Sequence, residues 1–260
     1  MDTMTEHHRV PVARPEVVRA WVDGWVRSRG TDGAVEVPGG FRIAVGRTDQ
    51  VARYVLPAAD PAVLRRLSVA LITPGLWLKV CAPRSAVEPA LPASWEFQAP
   101  EYLMTAPLGR TPQGGAARAP GRAELPAVPD GLRDGLVPGA APAPPPDPAV
   151  LPGGYVVETV AQGGTVDARA FAATGEVAAG GRVALAGTTA VFDQVRTDPA
   201  HRRQGLGRVV MTALAARAAQ QGATQGVLVA RDDGLSLYRA MGWELHSPVT
   251  TAVLRRRGTR

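Results

Sequence analysis

The densest chemistry in this 260-residue sequence lies in the run Val195-Arg196-Thr197-Asp198-Pro199-Ala200-His201-Arg202-Arg203-Gln204-Gly205-Leu206-Gly207-Arg208. Gly205 and Gly207 let backbone N–H groups approach an anion closely, and Arg202, Arg203 and Arg208 bring positive charge to the same point. A strand pattern precedes the run and a helical pattern follows it. The glycines therefore fall at a helix N-terminus, where N–H groups lack partners and the helix dipole is positive. Such a combination suits a pyrophosphate. Two nucleotide readings fail on spacing. A mononucleotide P-loop needs Gly-Lys-Ser/Thr, which is missing, and a dinucleotide turn needs a glycine directly after the strand and a small residue where Val210 stands.

The elements that must position this run follow from periodicity. Leu206, Val210, Ala213 and Leu214 recur at helical spacing, so a helix is expected over 207–221, stopped near Gly222. Residues 190–197 and 227–230 are strand-like, the second an apolar run typical of a strand buried on both faces. Strand, helix and strand together imply a right-handed parallel crossover. Upstream, strands at 155–160, 166–172 and 176–184 form an antiparallel meander with turns at Gly163-Gly164 and Thr174-Gly175, and Gly180-Gly181 marks a bulge. Before these lies a separate pattern. It comprises a helix over 15–28, strands at 41–45 and 51–56, Asp60 as N-cap of a helix with Pro61 at its first position, and strands at 76–82 and 102–106. Between the two regions the chain turns rich in Pro, Ala and Gly, as in Ala140-Ala141-Pro142-Ala143-Pro144-Pro145-Pro146-Asp147-Pro148, which indicates an extended linker. The expected organisation is an α+β (α/β) chain with domains at 1–110 and 153–260 joined by a linker at 111–152.

Composition narrows the classes of function. An apolar fraction of 45% supports packed cores, and no apolar run approaches membrane-spanning length. The start, 1–10, is polar and lacks the apolar core of a secretory signal, so a cytoplasmic location is expected. Cys81 is the only cysteine, which excludes an intrachain disulfide and a cysteine-based metal cluster; no metal is expected. The net charge of +6 and pI near 10.3 would fit nucleic acid or a phosphate-bearing ligand. The 5% aromatic content, and the lack of a basic strand studded with aromatics, count against nucleic acid. The tail Arg255-Arg256-Arg257 with Arg260 is expected to be solvated.

With Arg202-x-x-Gly205-x-Gly207 opening a helix, and Leu237-Tyr238-Arg239-Ala240-Met241-Gly242-Trp243 following in order, the second region resembles the GNAT superfamily of N-acetyltransferases. The resemblance covers 191 to about 245. It implies a mixed, mostly antiparallel sheet with one parallel crossover, acetyl-CoA (acyl-CoA) as co-substrate, and transfer of its acyl group to a small-molecule or protein amine. It also implies that main-chain groups of Val195 and Thr197, flanking Arg196, hold the pantetheine arm. Backbone N–H groups of Arg203, Gln204, Gly205, Leu206, Gly207 and Arg208 would hold the pyrophosphate beside Arg202. Tyr238 would lie by the thioester sulfur.

An amine that attacks a thioester expels a thiolate, and a phenol at Tyr238 can donate a proton to it. The competing reading is that Tyr238 packs between helix and sheet. Asp193 and Glu158 are acidic residues that could take the amine's proton, and Asp193 leads because a carboxylate on a central strand needs a partner. His201, among arginines, would help bind phosphate or do nothing, and His246 would line a strand end. Two departures from the family pattern stand out. Arg231-Asp232-Asp233-Gly234 replaces a usual Asn, with Asp232 or Asp233 as possible caps, and only a tight turn separates Val160 from Val166 where the family has two helices walling the acceptor site. The first region repeats the strand and helix order of the second without glycines or arginines in Pro57-Ala58-Ala59-Asp60, and Trp95-Glu96-Phe97 echoes Trp243-Glu244-Leu245. The expectation is a tandem arrangement whose first copy no longer binds cofactor but supplies the missing wall. The alternatives are a first region that only stabilises the chain or forms a homodimer, and a second region that binds acyl-CoA as a regulator without turnover.

Overall fold

Pro15 at the first helical position starts α1 (Pro15–Arg29), and Gly30, with φ of 61°, ends it. The computed structural model describes residues 12–109, 149–150 and 153–255, all within one compact unit. Apart from 149–150, the expected linker lies outside the described residues, as do the polar start and Arg256, Arg257 and Arg260.

After α1 the first half continues with β1 (Val35–Val37), β2 (Gly40–Ala44), β3 (Ala52–Leu56), α2 (Pro61–Ala70), β4 (Leu76–Val80), α3 (Arg84–Val87), β5 (Trp95–Phe97) and β6 (Glu101–Pro107). The second half holds β7 (Ala149–Val150), β8 (Val156–Gln162), β9 (Thr165–Phe171), β10 (Val177–Ala186), β11 (Thr189–Thr197), α4 (Leu206–Gln220), β12 (Gln225–Arg231), α5 (Asp232–Ala240) and β13 (Glu244–Leu254). The expected crossover is β11-α4-β12, with its strands parallel, and the first half repeats it as the parallel pair β3-α2-β4.

All thirteen strands of the described residues join one sheet, ordered β1-β2-β3-β4-β13-β6-β12-β11-β10-β9-β8-β7, with β5 pairing to β13. Each half sends its last strand into the other. β6 pairs antiparallel with β12, β13 pairs antiparallel with β4, and β6 and β13 pair with each other. The boundaries 1–110 and 153–260 therefore divide the chain but not the sheet. The cores on its two faces likewise draw on residues of both halves. The unpaired edge of β12 demands a partner, and the other half's strand meets that demand.

α1 crosses halves in the same way. Its Val17, Val18, Trp21, Val22 and Trp25 pack with Val191, Val227 and Val249 in a core on one face of the sheet. Gly24 permits this close contact, since a Cβ there would fall 2.3 Å from Val191 Cγ2. α4 covers the other face through Val210, Met211 and Leu214 against Val166, Ala168 and Phe192. Both ends of α1 are tied to the second half. The Arg14 N–H donates to His246 Nε2 at 3.0 Å, and Arg182, paired with Asp167, donates to the Ser28 carbonyl at 2.9 Å. No helix of the described residues is long and apolar enough to cross a membrane.

Candidate active site

β11 and β12 part company inside the sheet. Their ladder ends at Phe192 and Leu228, although β11 runs on to Thr197 and β12 to Arg231. A bulge drives the separation: Gln194 and Val195 together oppose Gly181, and Gln194 takes φ of 57°. Gly181 makes room, because a Cβ there would meet Leu214, Val195 and Val210 side chains at 3.1 Å. Beyond the bulge, the β11 edge that faces β12 has no ladder partner among the described residues, and this edge contains Val195, Arg196 and Thr197.

The glycine loop continues from this edge. Asp198 accepts from Ala200 N–H at 2.9 Å and closes a short turn, and Arg203 and Gly205 then take φ of 66° and 76° before α4 begins. No side chain caps α4, and a Cβ built on Gly205 would meet nothing within 4 Å. Open space, free N–H groups and a positive dipole meet there, with Arg196, Arg202 and Arg203 free of ion pairs among the described residues. The donor set fits a pyrophosphate. Gly207 plays a different part, since a Cβ there would lie 3.0 Å from Leu237 Cδ2 and its absence lets α5 close on α4. Arg208 reinforces that contact by donating to the Ala240 carbonyl at 3.2 Å. His201 is not aimed at an anion. Its Nδ1 meets the Tyr155 hydroxyl at 3.1 Å and its Nε2 meets Glu176 at 3.2 Å, which pins the loop to the meander.

Tyr238 is buried on α5, its ring over Gly234 and edge-on to Trp243. Burial, reinforced by the carboxylates of Asp233 and Asp193, pushes the phenol up to about 12, so it keeps its proton at neutral pH. Asp232 and Asp233 lie in the first turn of α5, and neither accepts a capping hydrogen bond, contrary to expectation.

A cleft of about 810 Å³ gathers these groups. It is lined by Tyr238, Asp193 and the loop residues Arg202, Arg203, Gly205, Leu206, Gly207 and Arg208 together with Val195, Arg196 and Thr197; Gln204 is the one expected loop residue outside the lining. Its far end is built by the first half, from Trp21, Trp25, Arg29, Arg53, Lys79 and Glu101. Tyr238 shares the α4 core, whereas Asp193 alternates with Val191 on the α1 face. The cleft therefore passes through the sheet where β11 and β12 separate.

A polar row crosses the apolar α1 face at that end. Lys79 donates to Glu101 Oε2 and, at 3.0 Å, to Thr251, whose hydroxyl donates to the same Glu101 oxygen. Burial pulls Lys79 down to about 8 against the opposing pull of Glu101. Burial also pushes the Glu101 carboxyl up, but Lys79 and Thr251 more than offset it, leaving it below the ordinary carboxylate range. Glu101 Oε1 accepts no hydrogen bond from the described residues. Asp193 contrasts with it. Its Oδ2 accepts from Arg29 Nε at 2.6 Å and Ser28 Oγ at 2.9 Å, and its Oδ1 accepts from Arg29 Nη2 and Gln194 N–H, both at 2.9 Å. A carboxylate with four donors has no lone pair left for a substrate proton, which favours Asp193 as an anchor for α1 over the expected base. Glu158 lies on β8 outside the cleft, and Cys81 is buried with its thiol pushed up to about 12.

Glu101, Lys79 and Arg53 were not singled out from the sequence. The available signal was a lone Lys and a lone Arg inside the otherwise apolar strands β4 and β3, side chains that burial forces to find a partner or a ligand.

Residues 158–245 match the family model described as an acetyltransferase (GNAT) domain. Two solved structures share the fold along nearly the whole chain. A GCN5-related N-acetyltransferase from Kribbella flavida superposes with TM-score 0.59 at 16% identity, covering 94% of this chain and 96% of that one. A GNAT-family protein from Novosphingobium aromaticivorans gives TM-score 0.52 at 16% identity, covering 93% and 99%. No curated protein matches the chain in sequence.

Proposed function

We propose that this chain, whose second half carries a GNAT acetyltransferase domain, is an acetyl-CoA-dependent N-acyltransferase with a site assembled from both halves. The observation that carries the reading is the cleft through the sheet, with an uncapped glycine-led helix start at one end and a half-buried carboxylate, Glu101, at the other. Bound acetyl-CoA would supply a thioester carbonyl for an amine to attack and a thiolate to leave. The backbone N–H groups from Arg203 to Arg208 bind the pyrophosphate, and the free edge at Val195 and Thr197 aligns the pantetheine arm. Tyr238, neutral because it is buried, donates its hydroxyl proton or a hydrogen bond to the sulfur as the C–S bond breaks. Glu101 takes the proton that the amine nitrogen loses as the C–N bond forms, through its free Oε1 and directly or by way of one water. Lys79 and Thr251 hold it ionised for that purpose. α1 supplies the acceptor-side wall that the tight turn at Gly163-Gly164 leaves out.

The test is a panel of amines with acetyl-CoA, read by thiol release and by the mass of the product. Turnover with at least one amine, absent in a Gly205→Asp variant that still folds, is expected. Tight acetyl-CoA binding with no thiol release from any amine would instead favour an acyl-CoA-binding regulator.

A further inference from the structure

Among the described residues, two cations near this end of the cleft, Arg53 and Arg231, have a role in neither proton transfer nor helix anchoring, and of the two only Arg53 is buried. It is 9% exposed, within β3, and lines the cleft. Its guanidinium stacks 4.0 Å from the ring centroid of Trp25. With the Gln50 amide assigned so that its oxygen faces the guanidinium, which satisfies both groups, it accepts from Nη2 at 3.0 Å and Nε at 3.1 Å. These contacts fix the plane of the guanidinium but leave Nη1 without a hydrogen-bond partner and the charge without an anion in direct contact among the described residues; Glu101 and Asp193 act on it only from beyond ion-pair distance. No carboxylate of those residues lies within 4.0 Å of Arg53, since Arg29 holds Asp193 and Lys79 holds Glu101. A buried cation that keeps its charge needs a counter-ion, and the cleft is where one can enter. Burial bears on this group strongly enough to bring the guanidinium down to about 10, and it is still charged at neutral pH.

We infer that the acceptor is an amine that also carries a carboxylate, of the amino-acid class, and that Arg53 binds the carboxylate while Trp21 and Trp25 flank the rest of the molecule. This rests on the acetyltransferase reading and narrows its substrate. A single buried guanidinium without an ion pair suits a monoanion. It presents a planar donor edge to a carboxylate, and bound that way the amine would stand off toward Glu101. No covalent step is added to those already given.

The experiment pairs each amine with its counterpart lacking the acid, phenylalanine with phenethylamine and tryptophan with tryptamine, in the full chain with acetyl-CoA. Thiol release gives kcat/KM, and calorimetry with CoA present gives the acceptor's Kd. The wild type should favour the amino acid by about 10- to 100-fold, as expected for a charge-assisted pair, mostly in KM and Kd. In Arg53→Gln that preference should collapse toward unity, and Arg53→Lys should restore only part of it. Arg53→Gln removes a desolvated charge, so its fold should survive; its melting temperature checks this. Equal use of the acid-free amines by the wild type, or an undiminished preference in Arg53→Gln, would overturn the inference while leaving the acetyltransferase reading intact. Acetyl-CoA binding without turnover of any amine would overturn both.

Discussion

The two halves build the same strand-helix-strand unit and finish it in opposite ways. In the first half, Asp60 turns its own carboxylate onto the start of α2 and accepts from Ala62 and Val63 N–H at 2.7 and 3.1 Å. In the second half, Gly205 starts α4 with no side-chain cap and arginines nearby. One helix start is closed by the protein's own anion and the other is open to an external one. A self-supplied cap thus closes one helix start, and the surfaces of the first half do other work. Here that work is to cover the second half with α1, to complete the edge of β12 with β6, and to bring Glu101, Lys79 and Arg53 into the cleft.

The comparison breaks most severely if the second half is made to resemble the first. Gly205→Asp puts a carboxylate where the pyrophosphate would sit, and should weaken acetyl-CoA binding by about 10²- to 10³-fold in calorimetry. The fold should survive at a cost of about 1 kcal/mol, because Asp is among the residues that tolerate the left-handed backbone at Gly205. Tyr238→Phe comes next. It keeps the ring over Gly234, and kcat should fall by about 10²-fold with melting temperature and acetyl-CoA affinity nearly unchanged. An unaltered kcat would reduce Tyr238 to a packing residue. Asp193→Asn releases Arg29 and should cost about 1 kcal/mol in urea unfolding, because the arginine is partly solvated, with a turnover loss below about tenfold. The smallest effect is expected from Asp60→Ala, which removes the cap of α2 at a cost of about 1 kcal/mol. Acetyl-CoA stoichiometry should remain one per chain, since 57–60 has neither a glycine pair nor arginines. A second binding event would show that the cap alone keeps the first half closed.

Much of the fold was legible because local signals set it. Helical spacing located α1 and α4, Asp60 and Pro61 located the start of α2, and the glycine pairs located the meander turns and the bulge at Gly180-Gly181. The glycine loop and Tyr238 were legible for the same reason, as each is a short contiguous motif. The strand exchange was not. Alternation in 101–107 and 244–254 says that these are strands with an apolar face, but any antiparallel neighbour satisfies that pattern. Likewise the apolar stripe of α1 does not say which face of which half it covers, although Gly24 in mid-helix hinted at a close approach. The acceptor end depends wholly on such distant pairings. Asp193 looked like an unassigned carboxylate because its partner Arg29 lies 164 positions away, and Lys79 meets Thr251 only after β13 has inserted beside β4.

In the proposed division of labour, the second half binds acetyl-CoA and the first half contributes the group that accepts the amine's proton. Glu101→Gln in the full chain tests it most directly, by measuring kcat for the best amine and the acetyl-CoA Kd on the same preparation, after thermal unfolding has verified the fold. The kcat should fall by about 10²-fold, as for loss of a positioned base, while Kd stays within about twofold because the pyrophosphate loop is untouched. Turnover at the wild-type rate, or a Kd that weakens in step with kcat, would contradict it.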